Sequence, residues 1–137
     1  MTESSAEIVS ELFRRFERAG LESVLELIAE DFVVEVPGSL SAEPDVYQGH
    51  DGARRYFAGF DGLMEDVRFE AIDVVEEGGA VIVWMRLSGR GAASGIEVDQ
   101  HAAVVTRVVE GKVARMEPHP DMDSALAAVR GAPPSNW

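Results

Sequence analysis

An α+β fold with its helices and strands in separate stretches is predicted for this chain, and three observations predict it. Between Val67 and Pro118, β-branched and aromatic residues alternate in four runs separated by short turns, three of them containing glycine. That pattern marks an antiparallel meander. Before and after it, apolar residues recur at helical spacing instead. The third observation concerns shape. The run Ile96–Val109 would span about 46 Å if straight, at roughly 3.3 Å per residue. A strand of that length is expected to bend, and a bent sheet has a concave side that can hold a pocket.

The elements follow in order. Ser4-Ser5-Ala6-Glu7 has the Ser-x-x-Glu spacing of a capping box. Ile8, Val9, Leu12, Phe13 and Phe16 then recur on one helical face, with Glu11, Arg14, Arg15 and Arg18 on the other. Gly20 is placed to end this helix. A second helix is predicted over Glu22–Glu30, and a short strand over Phe32–Val36, stopped by Pro37. Pro37–Gln48 has loop composition and is expected to lie over the mouth of the cavity. Gly49-His50-Asp51-Gly52 opens a third helix with Asp51 as N-cap and Tyr56, Phe57, Phe60 and Leu63 as an aromatic stripe. The meander comes next, as Val67–Glu76, Ala80–Gly89, Ile96–Val109 and Lys112–Pro118. A last short helix, Ser124–Arg130, follows Asp121-Met122-Asp123.

A chain of 137 residues has room for one domain with one core. That domain is expected over residues 1–130, with 131–137 as a tail. Its 46% hydrophobic and 27% charged content places it among soluble globular chains. No apolar run is long enough to span a bilayer, and Met1-Thr2-Glu3-Ser4-Ser5 lacks the features of a signal peptide. A cytoplasmic location is expected. The absence of cysteine excludes disulfides, thiolate metal sites and cysteine nucleophiles. With 12 basic against 25 acidic residues, net −13, the surface repels phosphates. Neither nucleic acid nor an anionic membrane is therefore an expected partner.

The chain resembles the SnoaL-like branch of the NTF2-like superfamily, which includes polyketide cyclases and ketosteroid isomerases. The resemblance is carried by Ala29-Glu30-Asp31-Phe32-Val33-Val34-Glu35-Val36-Pro37 and by Gly49-His50-Asp51-Gly52-Ala53-Arg54-Arg55-Tyr56-Phe57. Gly89-Arg90-Gly91, Ser94-Gly95 and Gly111-Lys112-Val113 extend it. It implies a cone: a bent mixed or antiparallel sheet wrapped around helices, with an apolar pocket at the open end. It also implies a cofactor-free cyclase, isomerase or hydratase acting on a hydrophobic carbonyl compound by general acid–base catalysis. The alternative is a non-enzymatic module that binds a small hydrophobic molecule. Isomerases of this kind place an aspartate before the proline that ends the first strand, where this chain has Val36. Their helix tyrosine is matched here only by Phe13 and Phe16, and their second oxyanion donor falls near Ala103. The polyketide cyclases place an aspartate shortly after the last strand, a position that falls on Asp121.

Four residues are candidates for chemistry. Asp121 is either a base in a desolvated cavity or the N-cap of the last helix. His119, held between Pro118 and Pro120, can shuttle a proton or lie inert on the surface. Asp99 and His101 share a strand face and form either an Asp–His pair or a polar stripe facing solvent or a second copy. Ligand contacts are expected from Tyr56, Phe57, Trp84 and Arg86, with Trp84 and Arg86 on one face. Core or interface packing is the competing role for these residues. An Asp–Arg–Asp arrangement of the epoxide-hydrolase type would draw on Asp99, Arg86 and Asp73, and no such triad can be assembled from the sequence. His50, His101 and His119 show no metal-ligand spacing, and no cofactor motif is present. No metal and no cofactor are expected. A homodimer is expected, because helices on one face of a sheet leave the other in need of cover.

Overall fold

The structure, a computed structural model, describes residues 4–36 and 45–130. Ser4 caps helix α1 (Ser5–Ala19), its Oγ accepting the Glu7 N–H at 3.1 Å. Ile8, Val9, Leu12 and Phe13 form the buried stripe of α1. The chain leaves the helix at Gly20, whose φ of +83° suits glycine. The second helix expected over Glu22–Glu30 is instead a 3-10 helix, Leu21–Leu27. Strand β1 (Ile28–Val36) correspondingly begins four residues earlier than the pattern predicts. The reason is long-range: Ile28 pairs in parallel with Val113, and that ladder captures residues whose local periodicity reads as helix.

Most of the expected loop, residues 37–44, lies outside the described residues. Its end is not loop. Asp45–Gln48 forms strand β2, antiparallel to β1. Helix α2 (Gly49–Leu63) starts directly after it. Gly52 is there because a Cβ would stand 2.8 Å from the Tyr47 carbonyl carbon. Asp51 sits inside the first turn rather than capping it, 2.8 Å from the Arg54 guanidinium. His50 Nε2 lies 2.9 Å from the Ile28 carbonyl oxygen and ties the turn to β1. The side chains of Phe60 and Leu63 lie outside the described residues.

The meander is present as β3 (Met64–Glu77), β4 (Ala80–Gly91), β5 (Glu97–Val109) and β6 (Lys112–His119). Two of its hairpins close on two-residue loops with both residues at positive φ: Gly78 and Gly79 at +55° and +81°, Glu110 and Gly111 at +51° and +80°. Turns of that hand match the right-handed twist of the strands they join. The sheet order is β2-β1-β6-β5-β4-β3, and only the β1–β6 contact is parallel. The ladders slip at Arg107/Val108 and at two places along β3, and bulges of this kind bend a strand.

Bending gives the sheet an inner and an outer face. The main core lies inside, where Leu12 and Phe13 of α1 and Ala53 of α2 meet Phe32, Val34, Val83, Val104 and Val113 of the sheet. A smaller core lies outside, where helix α3 (Met122–Arg130) places Ala125, Leu126 and Val129 on Ala80, Ile82, Ala103 and Val105. No helix among the described residues is long and apolar enough to cross a membrane.

Candidate functional site

The concave side holds a cavity of about 270 Å³. Alternation on the strands decides what it contains. Met85 and Leu87 of β4 point in, as do Gln100, Ala102 and Val104 of β5, and Met116 and Pro118 of β6 complete that wall. The opposite wall is helical and aromatic, with Phe13 and Phe16 from α1 and Tyr56 and Phe57 from α2; Phe69 of β3 meets them. Their rings pack tilted or edge-on: Phe16 to Phe57 at 4.8 Å, Phe16 to Phe69 at 5.3 Å and Tyr56 to Phe57 at 5.0 Å. Such pairs hold each other in place and make the wall stiff.

Two polar side chains belong to this lining, Tyr56 and Gln100. Burial, and then the neighbouring Tyr47, push the Tyr56 phenol up to about 12, so it is a neutral hydrogen-bond donor throughout the physiological range. Gln100 is exposed, lies opposite Leu87 in the ladder, and marks the mouth. His101 also borders the cavity, between Gln100 and Ala102. Its ring stacks on Trp84 at 5.4 Å with 15° between the planes. Trp84 packs with the outer core, so the stacked imidazole turns towards the outer face at the cavity's edge.

The residues singled out from sequence therefore divide. Tyr56 and Phe57 line the cavity. Trp84 and Arg86 share a face as expected, and it is the outer one. Arg86 donates from Nε and a terminal nitrogen to both Asp99 oxygens at 2.8 Å each. That guanidinium holds the Asp99 carboxyl below the usual carboxylate range, so Asp99 belongs to an ion pair with Arg86 as well as sharing a face with His101. Asp121 accepts the Ser124 N–H at 2.8 Å, the geometry of an N-cap, and this hydrogen bond lowers its pKa. A base in a desolvated cavity would be shifted the other way. His119 is 8% exposed, pairs opposite Ala103 and so faces outward. Its Nε2 is 2.9 Å from Glu117 Oε1, but at an angle that makes no hydrogen bond, and the nitrogen is buried without an aligned partner. Among the described residues no group of histidine, aspartate and glutamate is arranged to hold a metal.

The sequence reading missed Gln100 and most of the apolar wall. One signal was available. On β4 the parity of Val81, Val83, Met85 and Leu87 is unbroken apolar, whereas that of Ile82, Trp84 and Arg86 ends in a charge. The unbroken parity is the one that faces inward.

Comparison with known proteins gives the same architecture. The SnoaL-like domain model matches residues 9–116. An NTF2-like protein from Burkholderia thailandensis superposes with a TM-score of 0.77 at 21% identity, covering 96% of this chain and 100% of its own. A protein named as a SnoaL-like polyketide cyclase, from Jannaschia sp. CCS1, gives 0.69 at 19% identity, with 98% and 99% covered. IdmH from Streptomyces antibioticus, also named as a polyketide cyclase, gives 0.70 at 19% identity, with 95% and 100% covered. No curated protein matches the sequence.

Proposed function

The chain belongs to the SnoaL-like domain family, and from that premise we propose that it binds one compact hydrophobic molecule carrying a carbonyl or similar acceptor. The observation that carries this reading is the composition of the cavity. Its wall is mostly aliphatic and aromatic, and its partly buried polar side chain is the Tyr56 phenol. No carboxylate lines it among the described residues, and the ring of His101 at its edge stacks on Trp84 instead. A volume of about 270 Å³ lies just below the usual range of small-molecule pockets, roughly 300–1,000 Å³, which suits a compact ligand. Apolar burial supplies the affinity and Tyr56 the orientation.

A neutral solvatochromic dye such as Nile red tests this. It should gain fluorescence with the protein, be displaced by aromatic ketones, and lose most of its binding in Phe57→Ala. Tyr56→Phe should weaken a ketone several-fold and leave a hydrocarbon of the same shape unchanged. Equal loss for both ligands would remove Tyr56 from the role.

A second reading is favoured by the same tyrosine. A partly buried neutral phenol is a suitable donor to a developing enolate, as a cyclase or isomerase requires. The other requirement is a base. Asp121, His119, Asp99 and His101 are the candidates from sequence, and all four lie on the outer side of the sheet. That placement makes binding the better-supported reading. Absence of turnover for every ketone that binds would sink the enzymatic reading, and turnover that survives Tyr56→Phe unchanged would remove Tyr56 as the donor.

The proposed assembly is a homodimer through the outer face beside α3. Arg86 and Asp99, one of each sign, make that face self-complementary for isologous contact. Sedimentation as a monomer at micromolar concentration would exclude it.

A further inference from the structure

We infer that the cavity selects its ligand by charge: it accepts uncharged or cationic hydrophobes and rejects carboxylates and phosphates of the same shape. This rests on the binding reading above and narrows it to a chemical class.

Three observations support it. The first is the lining, which among the described residues contains no lysine or arginine. A carboxylate entering it would lose its hydration and find at best one neutral phenol and one amide. The second is where the positive charge resides. Among the described residues, eight of the twelve basic side chains form ion pairs with the protein's own carboxylates, from Arg14 with Glu11 to Arg130 with Glu77. An anionic ligand would have to compete with those partners. The third is the net charge of −13, whose field opposes an approaching anion and favours a cation. Neutral ligands meet neither obstacle. A cation has the faces of Phe13, Phe16, Tyr56, Phe57 and Phe69 to offset lost hydration.

Gln100 is where the filter can be changed. It is an exposed side chain of the lining, at the mouth, so replacing it leaves the core intact. An arginine there would give an incoming carboxylate the partner that the native cavity lacks.

The experiment is a competition against Nile red with three ligands on one skeleton: 2-acetonaphthone, 2-naphthoate and 2-naphthylmethylammonium. It is run at pH 7 in 0.15 M and in 1 M salt. The ketone and the ammonium should displace the dye, and naphthoate should be weaker by about tenfold or more. The gap should persist at 1 M salt, where the Debye length is about 3 Å, because desolvation is not screened. Gln100→Arg, with unchanged circular dichroism, should shift the ratio of naphthoate to ketone affinity by about tenfold in favour of naphthoate. Naphthoate binding the native protein as tightly as the ketone would overturn the inference and leave the binding reading standing. Naphthoate unimproved by Gln100→Arg would overturn it too, since a missing cation would not be the cause. If none of the three displaces the dye, the binding reading fails and the inference falls with it.

Discussion

Strands β4 and β5 carry two chemistries, one on each face, and the residues alternate between them. Inward go Met85, Leu87, Gln100, Ala102 and Val104, which build a cavity wall. Outward go Trp84, Arg86, Asp99 and His101, which pair among themselves: Arg86 with Asp99, and Trp84 with His101. The acid–base candidates Asp99 and His101 sit on the outer face of these strands, and the apolar cavity sits on the inner one. Catalysis by general acid and base needs both in one place. Their separation is the observation behind the binding reading proposed above.

The largest test of that division uses neighbours of opposite parity. Met85 is 7% exposed and packs in the inner core. Met85→Ala should cost about 2–5 kcal/mol in chemical denaturation, the range for truncating a buried methionine. It should also change affinity for any ligand of the cavity, since it enlarges it. Trp84→Ala should destabilise through the outer core and release the His101 ring, with ligand affinity unaltered. A Trp84→Ala variant that loses ligand while Met85→Ala keeps it would reverse the assignment of faces.

These two residues also show how far the sequence could be read. The meander was legible because its boundaries are local chemistry. Gly78-Gly79 and Glu110-Gly111 sit at positive φ, and the strands between them are β-branched. The caps at Ser4 and Gly20 are local in the same way. The missed elements depend on distant partners. Ile28 joins β1 because Val113 lies beside it, and Asp45–Gln48 becomes β2 because β1 offers an edge. The site was half legible: sequence alternation pairs Trp84 with Arg86 and Met85 with Leu87. The unbroken apolar parity of Met85 and Leu87 points to the inner pair, and the placement of α1 and α3 on opposite sides of the sheet makes it so.

A smaller effect is expected at the start of α3, which lies on the outer side. Asp121 caps the helix by accepting the Ser124 N–H. Asp121→Ala should lower the melting temperature, while Asp121→Asn and Asp121→Ser, which retain an acceptor, should lower it less. Ligand affinity should stay constant in all three. Loss of binding or of turnover in Asp121→Asn, at an unchanged melting temperature, would return this residue to a catalytic role.

The smallest effects, and the ones that divide the faces most cleanly, lie in the dependence of stability on pH. Asp99 and Asp121, on the outer side, both have pKa values lowered by folding, through the Arg86 guanidinium and the Ser124 N–H respectively. A lowered carboxylate pKa contributes stability above the unfolded value, about 3.9, and that contribution is lost as pH falls through the folded value. Tyr56, on the inner side, is shifted the other way, up to about 12 by burial. Its contribution is intact below the unfolded value of about 10 and is lost as pH rises through the folded one. The acid limb of the stability profile should thus carry an outer-face component and the alkaline limb an inner-face one. Urea midpoints from pH 3 to 11 for the native chain, Asp99→Asn, Asp121→Asn and Tyr56→Phe separate them. The two aspartate variants should differ from the native protein at pH 6 and converge with it towards pH 3. Tyr56→Phe should run parallel to the native protein through neutrality and fall off less above about pH 10. Ligand affinity should be flat from pH 5 to 9, because among the described residues the His101 ring at the cavity's edge stacks on Trp84 rather than reaching into it. An affinity that steps between those values would place an ionising side chain in the cavity and join the two chemistries that the sheet otherwise keeps apart.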